Sequence, residues 1–295
     1  MRIPWKTLDS GFSLPAYGFG LSEVGGGSWQ ADHSRDGEHI FALNRAMDAG
    51  IRHFDTAQGY GAGHAEELLG AALAGRDRAE FVIATKVSAV NQTYDGIMRA
   101  AENSLKKLGI DCIDLYLMHT YPKPGMDIAE AMRGFNALIE QGMVRHIGGA
   151  NLTPRRFAEA QRHSAAPLVC NQVHYNVRYR EPEVRGVVEH ARKNDVMLVA
   201  WRPLQAGHLP VPAMIRDIAQ RYGRTPTQVA LNWLISQRNV VVICKSSTPA
   251  HLEENLGALG WALDVEDVEW IRRDYPNQIT ASDTVPMDYP AASAA

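Results

Sequence analysis

A chain of 295 residues, 45% of them hydrophobic, is long enough for one large α/β domain and holds enough apolar mass for a substantial core. Its 30 basic and 33 acidic residues are mixed along the sequence and leave a net charge of -3, which argues against an extended basic face for nucleic acid and for a small ligand. No run of about 18 apolar residues occurs, and the start MRIPWKTLDS lacks a basic segment followed by an apolar one, so neither a membrane span nor secretion is expected.

The first element is a hairpin. In WKTLDSGFSL the turn residues Asp9, Ser10 and Gly11 separate two alternating stretches, which predicts two short antiparallel strands placed to plug one end of a barrel. From there β-like runs alternate with helical stretches almost to the end, the pattern of a parallel sheet wrapped in helices. Strands are predicted at 16–20, 53–55, 81–86, 113–119, 146–150, 168–174, 197–201 and 240–245. Eight is the number that closes a (β/α)8 barrel. Between them the period changes: Ile97, Ala101, Leu105 and Leu108 share one helical face, as do Val184, Val187, Val188 and Ala191, and Leu252, Leu256 and Leu259. Further helices are predicted at 212–222 and 226–236. No internal linker interrupts the pattern, so 1–295 reads as a single barrel domain whose Ala/Ser-rich end, 281–295, is expected to fray.

Cys112, Cys170 and Cys244 form no CxxC pair and lie in or beside apolar runs, as buried cysteines of a reducing, cytoplasmic protein do. His53, His64 and His119 have no ligand-like spacing with cysteines or carboxylates, and no metal is expected. No long exposed apolar helix demands a partner, and a monomer is expected.

Barrel enzymes carry their chemistry on the loops after the strands. Asp55, Lys86, His119, Asn151, Gln172, Trp201 and Lys245 all fall at or next to a predicted strand end, and Tyr60 follows Asp55 in the glycine-rich turn HFDTAQGYG. A tyrosine with its ordinary pKa of about 10 is a weak acid; an ammonium about 4 Å away favours its phenolate by roughly 4 kcal/mol at an effective dielectric of about 20, on the order of three pKa units. Singly, each residue has a plain structural reading: a capping Asp, a loop Tyr, a solvated Lys, a core His.

Taken together, Asp55, Tyr60, Lys86 and His119 resemble the ordered Asp-Tyr-Lys-His tetrad of the aldo-keto reductase family, and the resemblance covers nearly the whole chain. It implies an NADPH-dependent oxidoreductase that reduces a small aldehyde or ketone. Tyr60 would be the proton donor, Lys86 would tune it, Asp55 would hold Lys86, and His119 would orient the carbonyl. IGGANLT, CNQVHYN and LVAWRPL resemble the family's nicotinamide site. Asn151 and Gln172 would bind the carboxamide, Trp201 would stack on the ring, and Arg202 and Leu204, in the following loop, would also contact the cofactor. In VVVICKSSTPAHLEENL, Lys245, Ser246, Ser247 and His251 stand at the family's adenosine 2′-phosphate contacts, and Glu254 and Asn255 stand around the adenine. A strand-to-helix junction suits phosphate on physical grounds as well.

Three residues depart from the family pattern: Ala150 and Arg202 stand where serines are common, and His251 stands where an arginine usually faces the 2′-phosphate. NADPH preference over NADH is therefore expected to be modest. The first loop, LSEVGGGSWQADHSRD, is long and aligns poorly, with Trp29 a candidate pocket wall. Two other readings share these residues. One is a regulatory nicotinamide-binding subunit or redox sensor on the same fold; the other is a barrel enzyme using Lys86 as an imine-forming nucleophile.

Overall fold

The structure, a computed structural model, describes residues 3–246 and 248–287. Strands β1 (Trp5–Thr7) and β2 (Ser13–Pro15) pair antiparallel, with Trp5 opposite Pro15, as the Asp-Ser-Gly turn predicts. Leu8, Phe12 and Leu14 pack beneath Leu115, Leu117, Val169 and Val241, so the hairpin closes the floor of the barrel.

The first barrel strand is β3 (Tyr17–Gly20). The loop after it folds into a two-residue ladder of its own, β4 (Gly26–Gly27) with β5 (Gln30–Ala31). The barrel continues through β6 (His53–Asp55), β7 (Val82–Val87), β8 (Ile113–Met118), β9 (Val144–Ala150), β10 (Leu168–His174), β11 (Met197–Trp201) and β12 (Val240–Cys244), which pairs parallel with β3 and closes the ring. These are the eight predicted strands, three with the predicted bounds and five shifted at an end by one or two residues. The protein is a (β/α)8 barrel.

Alternation along each strand separates two cores. Tyr116 and Met118 of β8 face the helices, while Leu115 and Leu117 fill the barrel. In β7, Lys86 shares the parity of Ala84 and is therefore carried inside the barrel near its C-terminal rim.

Eleven helices are described: α1 (Asp36–Asp48), α2 (His64–Leu73), α3 (Tyr94–Leu108), α4 (Ile128–Glu140), α5 (Pro154–Arg162), α6 (Glu181–Val184), α7 (Val187–Lys193), α8 (Ala213–Tyr222), α9 (Pro226–Ile235), α10 (Pro249–Leu256) and α11 (Val265–Asp274). In α3, Thr93 caps the N-terminus by accepting from the Gly96 amide, Gly109 ends it in the left-handed region, and Ile97, Ala101 and Leu108 are buried as predicted. The apolar set Val184, Val187, Val188 and Ala191 does not form one face: Gly186, at φ 71°, breaks the helix, and Val184 is 62% exposed. Leu259 is buried but lies beyond the end of α10. Helix α11 was not among the predicted elements.

Part of the expected frayed end is held. The Arg180 amide donates to Ile279 O at 2.8 Å, and buried Glu181 accepts from the amides of Ser282 (2.7 Å) and Met287 (3.0 Å). The side chain of Arg156 donates to Met287 O at 2.6 Å. Residues 281–287 are thus stitched to the barrel by hydrogen bonds with residues more than a hundred positions earlier, which composition does not reveal. The remainder of the expected tail, 288–295, lies outside the described residues.

Candidate active site

The turn after β6 brings Tyr60 back over β7. The Thr56 amide bonds Ala84 O at 2.8 Å, the Gln58 amide bonds Lys86 O at 3.1 Å, and the Tyr60 amide bonds Ala57 O at 3.0 Å. Gly61, Ala62 and Gly63 then take positive φ in succession before α2 begins. A Cβ on Gly61 would stand 2.3 Å from Gly25 O, so the glycine serves close packing of the first loop as well as the turn.

Inside the rim, Lys86 Nζ donates to Asp55 Oδ1 at 2.6 Å and to Thr56 O at 2.7 Å, and both ionic side chains are buried. The ammonium lies 5.1 Å from the centre of the Tyr60 ring, and the His119 ring stands edge-on to that ring at 5.7 Å. The structure therefore gathers all four residues of the expected acid-base group.

Burial works against the charge on Lys86, but Asp55 and Tyr60 outweigh it and raise its pKa. A buried, paired ammonium is a poor nucleophile, which argues against the imine-forming reading. Burial also raises the Tyr60 phenol; Lys86 pulls it down and Asp55 pushes it up, and the net shift is upward. The expected lowering of the phenol by Lys86, partly offset by Asp55, is thus outweighed by burial. His119 is lowered to about 3, by burial first and by the Lys86 charge second, so its ring is neutral near pH 7.

The nicotinamide-site residues meet the same group. Asp55 Oδ2 accepts from Gln172 Nε2 at 2.8 Å, and Asn151 Oδ1 accepts from Trp201 Nε1 at 3.2 Å. With those two bonds made, the Gln172 carbonyl is left to accept and the Asn151 amide to donate, which is the complement of a carboxamide. Asn151 sits at φ 59°, a region that Asn enters more readily than most residues, and its backbone amide is tied to the backbone carbonyl of Gln172 at 2.8 Å. A nicotinamide therefore fits the donor set present.

In the loop after β11, the Arg202 guanidinium donates to Thr284 Oγ1 at 2.8 Å and lies 3.8 Å from Asp283, contacts that tie this loop to residues 283–284. Leu204 is half-buried against the outer core.

At the β12–α10 junction, Lys245 is exposed and pairs with Glu23 of the first loop at 3.3 Å. Ser246 and Asn255 are buried together, Asn255 Nδ2 donating to Ser246 Oγ at 3.1 Å and to the Tyr17 hydroxyl at 3.3 Å. Their polar atoms fix the loop to β3. Thr248 caps α10 by accepting from the His251 amide, and the His251 side chain is exposed on the first turn. Glu254 accepts from Thr225 Oγ1 at 2.9 Å. Ser247 lies outside the described residues.

A cavity of about 470 Å³ opens at the opposite, N-terminal end of the barrel, lined by Phe12, Val82, Asp114, Arg145 and Val169 among others, and contains none of the tetrad. The sequence profile of the Aldo/keto reductase family matches residues 17–274. The chain belongs to that family. Its members are NAD(P)H-dependent oxidoreductases acting on carbonyl compounds, and the chain is an enzyme of that kind. It is similar to the methylglyoxal reductase DkgA of Escherichia coli O157:H7, with 33% identity over 84% of this chain and 87% of that protein. It also resembles the crystal structure of the thermostable aldo-keto reductase Tm1743 in complex with the inhibitor epalrestat. There the identity is 37%, the coverage 92% and 99% of the two chains, and the TM-score 0.87. An aldo/keto reductase of Klebsiella pneumoniae in complex with NADP and acetate matches at 26% identity, 98% and 100% coverage and TM-score 0.82.

Within this aldo/keto reductase, three polar residues that sequence reasoning passed over organise the rim. Asn171 bonds both backbone groups of Leu152, Nδ2 to O at 2.8 Å and Oδ1 from N at 3.2 Å, and so holds the bend that carries Asn151. His174 stacks on Trp201 with ring centres 4.4 Å apart and on Tyr179 at 4.2 Å, while Ser282 and Gln205 engage its two nitrogens. Burial lowers its pKa to about 4, leaving a neutral ring behind Trp201. Its signal was available: His174 is two residues beyond Gln172 on one strand and shares its face. Asp283 accepts from Tyr179 at 2.7 Å and Gln205 at 3.3 Å, a contact with no local pattern to announce it. Trp29 packs against Gly59, whose added Cβ would meet the indole at 3.4 Å, and is 51% exposed at the edge of the catalytic turn.

Proposed function

We propose that this enzyme reduces small aldehydes and ketones with NADPH, Tyr60 giving the proton, and that residues 1–295 act as one barrel domain. The observation that carries this reading is the shared carboxylate: Asp55 binds Lys86 of the acid-base group through one oxygen and Gln172 of the nicotinamide cradle through the other. When bound, the nicotinamide supplies the hydride. The Asn151 side-chain amide would donate to its carboxamide, the Gln172 side-chain carbonyl would accept from it, and Trp201, backed by His174, would offer it a flat apolar face. The neutral His119 donates one hydrogen bond to the substrate oxygen, and Tyr60 transfers its proton to that oxygen. Lys86, held by Asp55 and Thr56 O, stabilises the phenolate left behind. The same groups permit the reverse oxidation.

Absorbance decay of NADPH against a panel of aldehydes, methylglyoxal included, tests this reading. Steady turnover is expected; tight NADPH binding with almost no turnover on any aldehyde would assign the chain to the regulatory or sensor role. A cytoplasmic monomer is part of this proposal, the first from the cysteine pattern and the second from a sequence with no long exposed apolar helix demanding a partner.

The pKa directions set the pH profile. A proton donor acts while it is protonated, and a phenol raised above 10 keeps its proton across the neutral range, while His119, lowered to about 3, stays neutral there. The kcat for reduction is therefore expected to be flat from about pH 6 to 9 and to fall only on the alkaline side. A descending limb centred near pH 7, measured at saturating NADPH, would contradict the assignment.

Cofactor choice turns on His251. A guanidinium is always charged and binds phosphate through paired hydrogen bonds, whereas an imidazole offers a single N–H to it. NADPH discrimination over NADH is expected to be modest. His251→Arg is expected to tighten NADPH roughly tenfold with little change for NADH. Dissociation constants of wild type and His251→Arg for both cofactors check this; strong discrimination already present in the wild type would move phosphate recognition to Lys245.

A further inference from the structure

We propose that His33, Asp36 and His64 form a binding site for a divalent transition-metal ion, zinc being the natural probe, which fastens the first loop to the start of α2. One ligand atom from each of the three lies within 4.8 Å of those of the others, at the junction of the first loop, α1 and α2. His64 Nε2 is 2.7 Å from Asp36 Oδ1, His33 Nδ1 is 3.4 Å from Asp36 Oδ2, and the two imidazole rings lie 4.0 Å apart, centre to centre. Around a tetrahedral zinc with bonds of about 2.1 Å, ligand atoms stand roughly 3.4 Å from one another. The two contacts to Asp36, 2.7 and 3.4 Å, are at or below that value and all three ligand atoms lie within 4.8 Å of one another, so small side-chain movements accommodate the ion.

A separate observation comes from the other side of His64. Its Nδ1 is 2.9 Å from Glu67 Oε2, so Glu67 fixes the ring with Nε2 directed at Asp36 and His33. A carboxylate accepting from the far nitrogen is the usual support of a metal-bound histidine. In the ion-free protein both nitrogens of His64 face carboxylates, and a bound ion takes the place of the Nε2 proton, which leaves to solvent. Two imidazoles and one carboxylate suit zinc, cobalt, nickel or copper better than calcium or magnesium. His64 is buried while His33 is exposed, giving the ion an anchored ligand and an open approach. Structurally, the ion would close the base of a loop whose tip reaches the catalytic turn, since Trp29 N donates to Gly59 O at 2.8 Å and Ser28 pairs with Tyr60.

The test is zinc binding to full-length protein freed of metal with a chelator, measured at pH 7.5 by competition with a chromophoric chelator. One equivalent per chain is expected, with a dissociation constant on the order of a micromolar or tighter. His33→Ala, which alters an exposed side chain, and Asp36→Asn are each expected to weaken it at least about tenfold, while His163→Ala leaves it unchanged. Zinc is also expected to raise the melting temperature of the wild type but not of His33→Ala. The proposal is overturned if no equivalent binds more tightly than about 100 micromolar, or if His33→Ala binds zinc as the wild type does.

Discussion

Tyr60→Phe is expected to lower kcat for aldehyde reduction at least about a hundredfold while leaving NADPH affinity nearly unchanged, because general acid catalysis commonly contributes 10²–10⁴-fold. The substitution keeps the ring that stands edge-on to His119 and over Lys86, and it leaves the Tyr60 amide bond to Ala57 in place. Only the hydroxyl is lost. Asn151, Gln172 and Trp201 bond one another and Asp55 without it, so the nicotinamide cradle stays intact. Steady-state rates with a simple aldehyde and a fluorescence titration with NADPH separate the two effects. If the variant retained most of its kcat, the proton would have another source, and the neutral His119 would be the first residue to examine.

How much of this was legible beforehand depends on the range of the interactions. The eight barrel strands were, because each is a short apolar run between polar turns, and the period-two rule places Lys86 inside once β7 is recognised. Asp55, Lys86 and His119 were legible as residues at or next to strand ends, and Tyr60 as the tyrosine of the turn that follows Asp55. What the sequence concealed were contacts between polar atoms far apart in the chain: Asp55 with Gln172, 117 residues away, and Tyr179 with Asp283, 104 residues away. Neither has a periodicity or spacing to betray it. The break at Gly186 and the firm seating of 281–287 were missed for related reasons, since an apolar count at helical spacing does not register a left-handed glycine, nor does an Ala/Ser-rich composition register backbone bonds to Glu181. The His33–Asp36–His64 group escaped because its members come from two segments, and His64 was weighed against His53 and His119, which do not share its surroundings.

The ion pair at the centre of the site makes the second large expectation. Lys86→Met is expected to abolish most of the activity and to cost about 3–5 kcal/mol of stability, the penalty typical of leaving a buried charge without its partner. Asp55 would keep its bond from Gln172 but lose its counter-ion in a buried position, and Thr56 O would lose a donor at 2.7 Å. A folding defect alone would also depress activity, so the informative comparison is with Lys86→Met/Asp55→Asn. Removing the orphaned charge is expected to restore much of the stability, since neutral replacement of a buried pair is often tolerated, while activity stays low because no ammonium remains to stabilise the Tyr60 phenolate. Chemical denaturation of both variants, with turnover measured on the same samples, distinguishes the two roles. If activity returned with stability in the double variant, Lys86 would be a structural anchor and the acid-base assignment of Tyr60 would lose its electrostatic basis. The residual rate of Lys86→Met should be highest with aldehydes already activated toward hydride attack, since these depend least on protonation by Tyr60 in the transition state.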